Sequence, residues 1–487
     1  DIVGNAVKVR HAVGNEVTTE FADTYHYAYP TKVTTSAPDP TNTTGTDQTS
    51  SVETTYDPNT GLPLTVKDDF GQVTATEYDD PLLRPTRVYG QNFTAPESQT
   101  IYDDNARTVK VRKQLDANNW DEATTFFDVF GRPIKTQAKD SQGDVFVETH
   151  YDHLGRVDRV TSPYRVGDIV YWAKTRFDEL GRAVETFAPT ELSGLANAQS
   201  LGVTSYDISS APGYFGVAVI TTDASGRESL SITNALGQLI VVEEPDSDGH
   251  VGPMPTSTPQ PQPSPGGGGG IPPECFSQAC PGGLTGGSFP SYATYYKYDV
   301  KGHMVEVIQG DQHRYFKYDS LGRMIRVRQP EQEVNASLAL SDAYNTSGQW
   351  TAGFTYDVMG NVLTATDAKG TEIRNTYDKA NRVTSRTYSN EPQGVTTPAV
   401  HFYYDGKGLA EQQSPNFAKG KLTKVDNGMS ATEYMTFDNC GRLTRMRQIT
   451  DGVVYGDDAH PITYTYNLSG ALTQETYPSG RVVKNDF

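Results

Sequence analysis

The side chains in this sequence that could do chemistry together are an aspartate and an arginine, four residues apart, behind an aromatic. Tyr151, Asp152, Gly155 and Arg156 set the pattern in YDHLGR, and Phe177, Asp178, Gly181 and Arg182 repeat it in FDELGR. It returns in Tyr318, Asp319, Gly322 and Arg323, in Phe437, Asp438, Gly441 and Arg442, and without the arginine in Tyr356, Asp357 and Gly360. A carboxylate beside a guanidinium could grip a phosphate or a glycan, or move a proton. Recurrence argues against catalysis, because one active site needs one constellation and this one is copied along the chain. Repetition in register favours the arginine as a cross-strand partner for the Asp and Tyr of its repeat.

The remaining candidates are isolated. His150 and His153 could bind a metal, but one falls on a strand and the other in a turn, with no third ligand nearby. Asp246 and Asp248 in PDSDGH offer calcium oxygens without the rest of an EF-hand loop. Cys275 and Cys280 stand close enough to bridge a small loop, while Cys440 sits in the turn FDNCGRL as a tolerated turn residue. HExxH, GxSxG and GxxxxGK[ST] are absent from the sequence. No catalytic, cofactor-binding or metal-binding residue is therefore assigned, and the chain does not read as an enzyme.

The repeated unit describes a tight turn between strands. Asp at the first position can bond backbone amides two residues on, and Gly at the fourth can take positive φ, which suits a type I turn with a G1 bulge. At Asp378 the fourth position is Asn381, the next best residue for that conformation. YDDPLLR and YDDNAR place Leu83 and Ala106 there, so those copies are expected to be distorted or re-registered. Second turns such as Asp68 to Gly71, Asp140 to Gly143 and Asp367 to Gly370 fall between many of the first, which makes each repeat two strands and two turns. Between turns the side chains alternate with period two, as at Ile325 and Val327 against Arg326 and Arg328.

Short turns joining successive strands predict an antiparallel meander. At about 10 residues per strand and turn, roughly 40 strands at ~4.8 Å spacing would make a ribbon on the order of 200 Å wide. No open sheet stays flat at that width, so the expected fold is all-β, a long meander curling into a hollow shell or part of one. The composition agrees with a wall that is wet on both faces. Only 36 % of residues are hydrophobic, yet the chain holds 29 Tyr and 18 Phe, so amphipathic ladders take the place of an oily core.

Charge narrows the partners. With 41 Lys plus Arg against 60 Asp plus Glu the formal charge is -19, which repels nucleic acid. No stretch approaches the ~20 apolar residues of a membrane-spanning helix, and the first residues lack the apolar core of a signal peptide, so any export signal is expected outside this segment.

The YDSLGRMIRV motif and its copies resemble the YD repeats of the RHS family, found also in teneurins and in the shell-forming components of bacterial insecticidal toxin complexes. The resemblance implies a spiralling β-sheet that forms a cocoon, secreted or at the cell surface. Its partners would be the remainder of the same polypeptide and an enclosed C-terminal toxin domain. An adhesin that binds a surface glycan or protein through its aromatic face is the alternative. The chain divides into degenerate strands and a polar loop at 1–51, a repeat block at 52–242, a Pro/Gly-rich insertion at 243–290, and a second repeat block at 291–487. That second block is expected to continue past the end, because YPSGRVVKNDF stops where another repeat should follow.

Pro alternation followed by five consecutive Gly residues leaves the middle of the insertion with nothing to pack. Limited proteolysis is expected to cut first between Pro253 and Pro290 and to leave two fragments that co-elute on gel filtration. A first cut within the repeats from 298 to 378 would contradict the division.

Overall fold

The computed structural model describes residues 3–11, 14–90, 96–116, 118–140, 142–209, 215–251, 293–409 and 417–485. Strands make up 51 % and helix 3 % of the described residues, so what positions a side chain here is almost always a strand or a turn. Thirty-five strands occur among the described residues, and they pair antiparallel, mostly with their neighbours in the chain. The fold is an antiparallel β-meander, as the turn spacing predicts.

Two compact units are distinguished: Asp1–Thr149 with Pro163–Asp168 and Phe354–Phe487, and His150–Ser162 with Ile169–Gly353. In the first, cross-strand charges alternate in register. Lys32 and Lys67 both lie opposite Glu53 and reach its carboxylate at 3.0 and 3.3 Å. Lys424 and Arg447 flank Glu433 in the same way, with Arg447 at 2.6 Å. Threonines do the same with hydroxyls, as in the 2.6 Å contact of Thr55 with Thr65. Directly opposed pairs of this kind are the unit of sheet stabilisation, and they account for strands with few large aliphatic residues.

The early and late parts of this unit also touch. The Leu468 amide donates to the Leu115 carbonyl at 3.2 Å, Lys113 Nζ donates to the Ser469 carbonyl at 2.8 Å, and Phe70 meets Phe417 edge to face.

The second unit holds the chain's apolar cluster. Ala218, Leu230, Ile232 and Val241 are buried on successive strands, with Ile220, Ile240, Val251 and Tyr295 packed against them. A long connection between the strands Met324–Arg328 and Ala352–Tyr356 folds back rather than turning tightly. Its Trp350 is fully buried, the indole N–H donating to the Leu340 carbonyl at 2.8 Å. Asn335 caps the short 3-10 turn Ala336–Leu338 by accepting from the Ser337 amide at 3.0 Å. The repeat pattern carries no signal for this segment, since a single Trp among polar residues has no periodicity to read.

Within the same unit the strands Leu239–Glu243 and Ala293–Tyr298 pair directly, Val241 opposite Tyr295, so the intervening insertion joins two adjacent strands. Its first residues are ordered: Asp246 accepts from the amides of Asp248 and His250, forming one more turn of the repeated kind. Cys275 and Cys280 lie outside the described residues.

Ile232→Ala, which empties a fully buried position, is expected to cost about 2–5 kcal/mol. Leu321→Ala, at a turn tip that is 75 % exposed, should stay within about 0.5 kcal/mol. Urea denaturation of the two variants checks this, and equal losses would mean that the cluster is not a packed core.

Candidate functional site

The regular turns close with the same hydrogen bonds. Asp152 Oδ1 accepts from the amides of Leu154 and Arg156, both at 2.9 Å, while Oδ2 accepts from Arg156 Nε at 2.7 Å. The Gly155 amide returns to the Asp152 carbonyl at 3.0 Å. Asp178 and Arg182 repeat the Nε contact at 2.7 Å, as do Asp319 and Arg323; Asp438 and Arg442 make it at 2.6 Å. At Asp357, Asn361 takes the place of arginine and donates its amide at 2.8 Å.

The aromatic is the last residue of its strand in each case: Tyr151 in Gly143–Tyr151, Phe177 in Tyr171–Phe177, Tyr318 in Gln312–Tyr318, Tyr356 in Ala352–Tyr356 and Phe437 in Ser430–Phe437. At Phe177, Tyr318 and Phe437 the pairing register shifts by a bulge.

Gly322 has φ of 80°, and a Cβ there would also sit 2.7 Å from the His303 ring, so the position excludes a side chain on two counts. Asn381 takes the same conformation at φ 61°, and Gly181, Gly360 and Gly441 likewise have positive φ. In YDDPLLR the turn slides by one residue: Asp80 replaces Asp79 as the cap, Leu83 takes φ 58°, and Arg84 Nε reaches Asp80 at 2.8 Å. In YDDNAR, Arg107 takes the positive φ.

Hydrogen bonds set the charge state of these caps. The Arg84 guanidinium, with the Leu82 and Arg84 amides, holds Asp80 at about 2 against the effect of burial. At Asp152, burial works to raise the value, but the Arg156 amide and guanidinium outweigh it and the carboxyl lies below its ordinary range. Asp178 is lowered on the same balance. At Asp319 the Arg323 amide is the largest influence and lowers it too.

One relation between repeats is not legible in the motif. The arginine that closes one turn lies over the aromatic of the following repeat. Arg156 is 4.6 Å from the Phe177 ring centroid, Arg182 4.1 Å from Tyr206, and Arg442 4.9 Å from Tyr466. The tyrosine answers with its hydroxyl, which donates to the carbonyl of the residue after the arginine: Tyr206 to Ala183 at 3.1 Å and Tyr466 to Leu443 at 2.8 Å. Where arginine is absent, other groups fill in. His303 stacks on Tyr318 at 4.8 Å, and Tyr377 still donates to Val362 at 2.7 Å. Repetition in register predicts an arginine that serves the Asp and Tyr of its own repeat; the Asp is its own, the ring belongs to the next. The signal that could have revealed this is Tyr206 in SYDISS, an aromatic kept where the rest of the motif is lost.

The other candidates take structural positions. His150 Nδ1 is 2.6 Å from Asp158, and no group of three metal-ligating side chains occurs among the described residues. Cys440 is an exposed free thiol in its turn, pushed up by burial of the sulfur. No helix among the described residues is long and apolar enough to cross a membrane.

The first unit contains a further arrangement that the sequence does not announce. The loop at 36–49, part of the polar stretch Ser36 to Ser51, wraps Asp39, which is only 7 % exposed. Its carboxylate accepts from the amides of Thr41, Thr43, Thr44 and Gly45. Beside it Asp405, in a turn without the Gly-Arg ending, takes φ of 60° and turns its carboxylate onto distant groups. Arg382 donates to it at 3.0 and 2.9 Å, the Gly420 amide at 2.6 Å and the Thr46 amide at 3.0 Å. A cavity of about 450 Å³ lies against these residues, lined also by Val17, Asp69, Phe70 and Met359.

Geometry of this kind, turn after turn tied by Asp, Arg and Tyr, defines a repeat-built antiparallel β-meander. No protein-family model and no curated protein matches the chain. Solved structures do. The crystal structure of TcdB2-TccC3 matches 97 % of this chain with a TM-score of 0.66 at 12 % identity, over 24 % of its own length. The Photorhabdus luminescens Tc holotoxin pore matches 97 % at a TM-score of 0.65 and 12 % identity, over 26 % of its own length. The chain thus spans about a quarter of these toxin-complex chains and shares their fold.

Two outcomes are expected from the ladder. Tyr466→Phe deletes the bond to the Leu443 carbonyl and should lower stability by about 0.5–1.5 kcal/mol in urea denaturation; an unchanged midpoint would remove the hydroxyl from the ladder. The lowered values of Asp80, Asp152, Asp178 and Asp319 mean that their contribution is complete above the unfolded value, about 3.9, and is lost as pH falls through the folded values. The melting temperature should therefore decline steeply only below about pH 4. A decline beginning near pH 6.5 would assign the sensitivity to histidines instead.

Proposed function

We propose that this chain is a stretch of wall from an RHS-type toxin-complex shell, secreted or at the cell surface, that encloses or presents an effector carried by the rest of its polypeptide. The observation that carries this reading is the fold match to TcdB2-TccC3 along 97 % of the chain at only 12 % identity. The fold is shared there at a TM-score of 0.66 while few residues are, which is the pattern expected when the sheet itself is what is maintained. The ladder supports the same reading. Its aspartates, arginines and tyrosines are consumed by one another, which leaves few of them to bind a substrate, and catalysis is not part of the proposal.

The adhesin alternative asks the aromatic β-surface to face a glycan or a protein. Tyr206 and Tyr466 offer it little, with one group on the ring and the hydroxyl already bonded to backbone. Wall is the better use of such residues.

Small-angle scattering and electron microscopy on the purified monomer test enclosure. A compact particle of this length would have a radius of gyration near 23 Å, from about 2.2 times N to the power 0.38. Enclosure requires a larger value and a low-density interior. A radius at or below the compact value with a filled interior would sink the proposal and return the adhesin reading.

A further inference from the structure

We propose that the loop at 36–49 and the turn beginning at Asp405 form a strap that holds the early strands of the first unit against its late repeats, and that this seam can part without breaking a strand. The inference begins with what the repeat has lost at Asp405. A regular cap spends its carboxylate on its own turn and its own arginine, as Asp152 does with Arg156. Four residues after Asp405 stands Leu409, so the carboxylate has no arginine of its own. It takes the arginine of the preceding turn, Arg382, and still has room for the Thr46 amide, 359 residues away in sequence. The Arg382 side chain keeps its bond to Asp378 at 2.6 Å, so one guanidinium ties two turns and, through Asp405, the distant loop.

The loop is shaped to meet it. Asp39 gathers four amides of the loop onto one carboxylate, which fixes the loop's outline. The Thr44 carbonyl accepts from the Tyr404 amide at 2.7 Å and the Pro38 carbonyl from the Lys379 amide at 2.8 Å. Lys419 Nζ adds a bond to the Thr49 carbonyl at 2.7 Å and an ion pair with Asp69. Gly45 lies against the Arg382 guanidinium, where a Cβ would stand 2.7 Å from Nη2. Among the described residues no strand ladder crosses this seam; the contacts named run between loop or turn residues and, at Tyr404, the last residue of the strand Val400–Tyr404. A seam made only of such contacts opens at a far lower free energy than a strand ladder.

Hydrogen–deuterium exchange of the whole chain, followed by mass spectrometry, tests the strap. Asp405→Asn removes the charge shared by Arg382, Gly420 and Thr46, and Asp39→Asn unties the loop without touching the Asp405 turn. Each variant should speed exchange at Thr46, Lys379 and Tyr404 by about tenfold or more, with the strands Ser50–Tyr56 and Glu372–Tyr377 unchanged. Asp152→Asn, a regular turn of the second unit, should leave those three amides as they are. Unchanged exchange at the seam in either variant would overturn the strap, because its two halves would not be acting as one. Faster exchange of the strands together with the seam would overturn it equally, since the seam would then part only when the sheet unfolds.

Discussion

One relation recurs through the molecule: the guanidinium that closes a turn rests on the ring of the next repeat, and the phenol of that ring, where there is one, donates back to the carbonyl just past the arginine. Two strands are thereby fixed relative to the two that follow, with no thick apolar layer between sheets. This is why the chain can be poor in aliphatic residues and still hold its strands. The guanidinium meets a ring one repeat on and the phenol a carbonyl one repeat back, and a guanidinium over an aromatic face gains more where water is partly excluded. The aspartate serves the same end by fixing the arginine's Nε, so that its outer nitrogens and flat face point along the sheet.

Departures from the repeat follow from that relation. Where Asp79 gives way to Asp80, the cap moves one residue and Leu83 accepts a left-handed backbone so that Arg84 still lands over Tyr102 at 4.0 Å. The strain at Leu83 is tolerated because the ladder contact is kept. After Asp405, where no arginine follows, the cap turns to Arg382 and to the loop at 36–49. Burial opposes the Asp405 charge, but Arg382 and the Thr46 and Gly420 amides outweigh it and keep the carboxyl below its ordinary range. Asp39 is held well below as well, its amide and hydroxyl donors overcoming burial. Both charges in the strap are therefore secured by local donors rather than by solvent.

Long connections behave differently in the two units. The segment between Arg328 and Ala352 closes on Trp350 and Leu338 within its own unit, a local apolar solution. The loop at 36–49 is polar and closes on a carboxylate. Both stabilise a departure from the meander, and neither has a period that a repeat reading can detect, because each depends on one residue that meets a partner distant in sequence.

What the sequence determined by itself is local: strands of alternating side chains, turns with Asp at the first position and a residue tolerant of positive φ at the fourth, and hence an antiparallel meander. Those choices are decided within a few residues, by the steric freedom of Gly or Asn and the reach of an Asp side chain, so Gly322 and Asn381 can be read without a fold. Which ring an arginine covers, where Asp405 sends its carboxylate, and that the loop at 36–49 meets the late turns were decided only by tertiary structure. Each of these joins groups from 18 to 370 residues apart, and nothing in the spacing of one segment specifies the segment that will lie beside it. The wall is written in the repeat; what crosses from one part of it to another is written in the exceptions, and only folding brings the two halves of an exception together.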